Sequence, residues 1–110
     1  ASKAALNALT ESVALELEPF GIRARVVMPG MAPSTSFAAT VQSKMAAGEW
    51  FPQPYEAYAQ DVLAGLQAAG EGDVTTAPDV ALAAYRAATD PDCPMVLPAG
   101  ADAIAWAQAA

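Results

Sequence analysis

Histidine is absent from this chain of 110 residues, and cysteine occurs once, at Cys93. Those two facts remove much familiar chemistry. No Ser–His or Cys–His dyad can form, and there is no imidazole base or histidine metal ligand. One thiolate cannot build a zinc site, so no metal is expected. A glycine-rich run of the kind that cradles phosphate is also missing. Glu11, Glu16 and Glu18 fall at helical spacings that make a solvated face rather than a carboxylate pair. Asp90 and Asp92 flank Pro91 in a turn, where acidic residues are ordinary. The one residue left as a candidate for chemistry is a lysine near the start, Lys3.

The elements that must position it read clearly. Residues 1–18 contain strong helix formers and no interior glycine or proline. Leu6, Leu9, Val13 and Leu17 form one helical stripe, and Ala4, Ala8 and Leu15 a second, which suits a helix packed on two sides. Pro19 and Gly21 end it. Ile22, Ala24, Val26 and Met28 alternate with Arg23 and Arg25, so a strand is predicted over 22–28, closed by Pro29-Gly30. Helix, tight turn, apolar strand and Gly-containing loop make half of a parallel α/β layer.

Beyond Gly30, residues 31–36 form a loop by their Pro and Ser/Thr content, with Thr35 or Ser36 available to cap the next helix. A short helix is predicted over 37–47, then an irregular aromatic and proline cluster over 50–55, then a helix over 55–69 with Tyr58, Val62 and Leu66 in line. Thr76-Ala77-Pro78-Asp79 is a helix start, with a capping threonine, a first-turn proline and an acid three residues after the cap. That helix runs to about Ala88. A turn over 90–94, a short strand over 95–97 and a final helix over 102–107 complete the chain, with no internal repeat or linker.

The opening run resembles the short-chain dehydrogenases/reductases. Their signature Tyr-x-x-x-Lys is commonly written out as Tyr-x-Ala-Ser-Lys-Ala-Ala, followed by a run like ALTESVALELEPFGIRARVVMPG. This chain reads Ala1-Ser2-Lys3-Ala4-Ala5 and continues through that run to Gly30, so Lys3 matches the family lysine. The matching tyrosine would stand two residues before Ala1. The resemblance implies that residues 1–110 are the C-terminal portion of a Rossmann-like, doubly wound parallel α/β sheet, mostly helical in this part, with 36–75 as the substrate-lid region. It implies NAD or NADP as cofactor, and an alcohol or carbonyl small molecule as substrate.

By the same resemblance, the Lys3 ammonium bonds the nicotinamide ribose hydroxyls and lowers the pKa of the tyrosine that serves as general acid/base. Pro29 and Gly30 shape the cofactor loop, and Ser34 or Thr35 contacts the cofactor, with both left open. Met45, Trp50, Phe51, Tyr55 and Tyr58 become candidates for the substrate wall, although such side chains at helical spacing are more often core. Members of the family pair through the equivalent of the first helix, which implies a homo-oligomer. Lys3 otherwise reads as a surface lysine on a helix capped by Ser2. A cation in a first turn opposes the helix dipole, however, so a helix that starts earlier explains it better.

A hydrophobic content of 55% with 15% charged residues excludes a disordered chain. A net charge of −7 argues against nucleic acid or an anionic membrane as partner. No apolar run reaches the roughly 20 residues that span a bilayer, and no signal-peptide pattern opens the chain. Lone Cys93 fits a reducing cytoplasm. One good strand and one short candidate leave unpaired edges, so the sequence expects more sheet than it supplies and reads as a fragment. The alternatives are a catalytically silent chain that self-associates through its first helix, or an unrelated small helical binding module.

Overall fold

A computed structural model of the chain describes residues 1–48 and 51–110. The fold is mixed α/β and mostly helical, around a parallel sheet of two strands. Helix α1 is Ser2–Leu17, and a 3₁₀ turn, Glu18–Phe20, leads through Gly21 toward strand β1, Val26–Pro29. Helix α2 is Ser36–Ala46, a second 3₁₀ turn is Gln53–Tyr55, and α3 is Glu56–Ala69. Helix α4, Ala77–Thr89, precedes strand β2, Val96–Ala99, and α5 is Ala101–Ala109.

The two strands pair in parallel, from Val26 opposite Val96 to Pro29 opposite Ala99. β1 begins four residues later than the predicted 22. The guanidinium of Arg23 donates to the carbonyl oxygens of Ala88 (2.8 Å) and Asp90 (2.6 Å), and Arg25 Nε donates to the carbonyl of Cys93 (3.1 Å). Side chains therefore tie the approach to β1 against the turn after α4, and backbone contact starts only where the Val26 N–H meets the Met95 carbonyl at 2.8 Å. The 50–55 stretch, read as irregular, contains the Gln53–Tyr55 turn, because an N-terminal proline is tolerated in a single 3₁₀ turn.

Helix α4 starts as its sequence dictates. Thr76 accepts from the Asp79 N–H, and the Asp79 carboxylate accepts from the Thr76 N–H at 2.8 Å, a complete capping box. The helix covers one face of the sheet, where Ala83, Cys93, Leu97 and Ala99 form a small core flanked by Val27, Val80 and Ala87.

The other face lies on the side of α1, and here the expectation of a helix packed on two sides is not met. α1 has no buried residue, with Leu9 59% and Leu15 73% exposed. A two-stranded layer offers it too little to pack on. Tyr58, Val62 and Leu66 of α3 are likewise exposed rather than core. The radius of gyration is 16.8 Å, against about 13 Å for a compact chain of this length. The accessible surface is 8011 Å², against about 5,700 Å² expected for this mass. Among the described residues no helix is long and apolar enough to cross a membrane.

Candidate functional site

Both strands end at the same edge of the layer, and the segments that follow them meet there. In open parallel α/β sheets this edge, outside the carboxyl ends of the strands, is where ligands bind. β1 delivers Pro29 and Gly30, and β2 delivers Ala99 and Gly100. The Gly30 N–H points to the Ala99 carbonyl (3.3 Å) and to Thr75 Oγ1 (2.9 Å). Thr75 enters from the segment before α4, and its N–H donates to the Met31 carbonyl at 2.8 Å.

Asp102, in the first turn of α5, closes the arrangement. Its Oδ2 accepts the Met31 N–H at 2.7 Å, and its Oδ1 accepts the Ala103 N–H at 2.9 Å. The Thr75 hydroxyl lies 2.7 Å from Oδ1 and 2.8 Å from the Ala99 carbonyl. It has one proton to donate, and the charged oxygen is the stronger acceptor. Thr75 is 0% exposed and Asp102 5%. Burial pushes the Asp102 carboxyl upward, but the hydrogen bonds from Thr75, Met31, Ala103 and its own N–H outweigh it and hold the pKa below the usual 3.8.

Close packing fixes two glycines in this cluster. A Cβ on Gly30 would fall on the Asp102 carboxylate. At Gly100 a Cβ would fall on the Thr75 hydroxyl, and its φ of 102° is one that L side chains rarely adopt. Thr75 and Asp102 were not among the residues singled out from the sequence. One signal was present: Asp102 is the only charged residue after Asp92, set between two alanines and two residues after Gly100.

Lys3 sits exposed in the first turn of α1, which no side chain caps; Ser2 lies inside the helix rather than at its cap. Because α1 turns back into β1, its start lies at the carboxyl end of the strand. Asn7, one turn after Lys3, reaches Met28 Sδ at 4.0 Å. Among the described residues the Lys3 side chain makes no hydrogen bond or ion pair. Of the two candidate hydroxyls, Thr35 occupies the cap position of α2 but donates back to the Ala32 carbonyl at 2.7 Å, so neither it nor Ser36 caps the helix. Ser34 is exposed and its hydroxyl has no partner among the described residues.

Of the lid candidates, half-buried Met45 and exposed Phe51 line an open cleft of about 440 Å³, together with Ala59 and Leu63. Tyr55 and Tyr58 are exposed outside it. Trp50 lies outside the described residues. A larger opening of about 520 Å³, between α1 and the approach to β1, is lined by Leu15, Ile22, Arg23 and Arg25 and holds none of the candidates. No protein-family model, no curated protein and no solved structure matches this chain.

Proposed function

We propose that the chain is the C-terminal part of a Rossmann-like, NAD- or NADP-dependent short-chain oxidoreductase that moves hydride between the nicotinamide and an alcohol or carbonyl substrate. One observation carries the reading. The run 1–30 that resembles the family folds as helix, turn and strand, so that Lys3 and the Gly30–Thr35 loop lie at one end of the layer. The donors there suit the nicotinamide half of a dinucleotide: an ammonium for ribose hydroxyls, and a Ser34 hydroxyl for an amide or phosphate oxygen. The cofactor supplies the hydride acceptor or donor. Lys3 binds and orients the ribose, and its charge favours the ionised form of a phenol placed one helical turn before it. Gly30 and the segment to Thr35 hold the backbone that faces the ring, and Met45 and Phe51 offer an apolar wall for a partly apolar substrate.

The surplus of surface favours the same placement within a larger sheet and an oligomer formed through α1. Titration of the natural gene product with NAD and NADP, with sedimentation alongside, tests the proposal. One cofactor bound per chain, with affinity lost in Lys3→Ala and partly kept in Lys3→Arg, supports it. A chain that binds neither cofactor and only self-associates supports the silent alternative instead, which the uncovered stripe of α1 favours.

A further inference from the structure

The geometry points to Thr75 and Asp102 as positioning residues that pin the start of the Gly30–Thr35 loop to the returning chain at Thr75 and to α5. Everything between β1 and α4 leaves the layer at Met31 and comes back at Thr75. At that crossing the Met31 carbonyl accepts the Thr75 N–H, the Met31 N–H goes to Asp102 Oδ2, and the Gly30 N–H goes to Thr75 Oγ1. Three segments distant in sequence thus share one buried carboxylate and one buried hydroxyl. Every buried polar side-chain atom among the described residues has a partner, so the knot is satisfied within the chain. Its chemistry is directed inward, to the backbone of the two legs.

Beyond Met31 that support ends. Among the described residues, the hydrogen bonds of Ala32 to Thr35 stay within its own turn, from the Thr35 N–H and hydroxyl to the Ala32 carbonyl. Ser34 therefore stands on a short free turn whose base is rigid. A carboxylate is suited to this work because each oxygen accepts more than one hydrogen bond, so a single side chain serves both legs and its own helix. The pin rests on geometry alone, and only the ligand that Ser34 faces rests on the oxidoreductase reading.

Amide hydrogen exchange of the full chain, followed residue by residue by NMR, tests the pin without any cofactor. In the unmodified chain Gly30, Met31 and Thr75 should exchange at least about tenfold more slowly than Ser34. Asp102→Asn, which turns one acceptor into a donor facing an N–H, should accelerate those three about tenfold and leave Val26, bonded to Met95, unchanged. Thr75→Val should reproduce the pattern, and Thr75→Ser, which keeps the hydroxyl, should restore it. The inference is overturned if the three amides already exchange at the rate of Ser34, or if Asp102→Asn accelerates Val26 by the same factor. Should Asp102→Asn leave no protected amide at all, the Thr75 pair decides: identical behaviour of the Val and Ser variants sinks the pin. A failed cofactor titration leaves this exchange pattern standing, and a failed exchange pattern leaves the titration.

Discussion

Gly30 and Asp102 occupy adjoining space so closely that a Cβ on the glycine would fall on the carboxylate. They follow different strands, Gly30 in the loop after β1 and Asp102 in the first turn of α5, and the Met31 N–H that follows Gly30 is bonded to that same carboxylate at 2.7 Å. A side chain at position 30 must therefore displace Asp102 and break the bonds of Thr75 and Met31 together. Gly30→Ala should destabilise the chain by about 1–3 kcal/mol, the usual range for forcing extra atoms into a packed site. Asp102→Ala should also destabilise, since it strands the Met31 N–H. The two should not add: with Asp102 already truncated, Gly30→Ala should have little further effect. Urea midpoints of the two single variants and the double variant check this, and additive losses would contradict it.

Acid should loosen the same place. The carboxyl of Asp102 is held below its ordinary 3.8, so the folded state binds the proton less readily than the unfolded chain. Its contribution to stability is therefore complete well above 3.8, declines as pH falls below that value, and is lost beneath the depressed folded pKa. Asp79, lowered mainly by the Thr76 N–H and hydroxyl, and Asp90, lowered mainly by the Asp92 N–H and Arg86, shift in the same direction but are only half-buried. Comparing the fall in urea midpoint between pH 6 and pH 3 for the unmodified chain and for Asp102→Asn separates the buried group. The variant should show the shallower fall, and equal slopes would count against a charged Asp102.

What the sequence made legible is what near neighbours decide. Thr76 and Asp79 are three residues apart, and the capping box they spell is the one that forms. Pro19 and Gly21 end α1 where they should, and the short strand over 95–97 appears as Val96–Ala99. The buried cluster was not legible, because Thr75 finds partners 24, 27 and 45 residues away and Asp102 finds Met31 at a separation of 71. A threonine in a loop and an aspartate at a helix start have ordinary local reasons to be there, and the isolation of Asp102 among alanines names no partner. Distance also explains the late start of β1. Arg23 and Arg25 read as the polar half of an alternating strand, but their guanidinium groups reach carbonyls 65 to 68 residues on.

That bridge from Arg23 carries its own prediction. Its two N–H groups satisfy carbonyls of Ala88 and Asp90 at the end of α4, where backbone acceptors lack helical partners and positive charge suits the dipole. Arg23→Met keeps the stem and removes both donors, and should lower stability by about 1 kcal/mol, the discounted value for an exposed site. Arg23→Lys should recover less than half of the loss, since an ammonium cannot span two carbonyls as the guanidinium fork does. Urea midpoints measure the loss. Faster exchange of the Asp90 amide, bonded to the Arg86 carbonyl at 2.8 Å, would place it at the α4 terminus.

The stripe of α1 gives the prediction with the widest consequence. The chain exposes 8011 Å², about 2,300 Å² more than its mass warrants, and a standard interface between two proteins buries about 1,600 Å² in total. One such interface would remove most of the surplus, and α1, with Leu6 and Leu9 more than half exposed and no buried residue, is the apolar surface best placed to form it. Sedimentation of the chain over a concentration series should therefore show a species heavier than 11.2 kDa. Leu6→Lys with Leu9→Lys should return it to monomer while the helical circular dichroism at low concentration stays unchanged, because lysine is as good a helix former as leucine. A chain that remains monomeric throughout would rule out a second copy as the cover for α1 and leave other parts of a larger sheet as the candidates. The free edge of β1 would then be the place to look for them, because an unpaired parallel strand keeps its outward N–H and C=O groups open to the next strand.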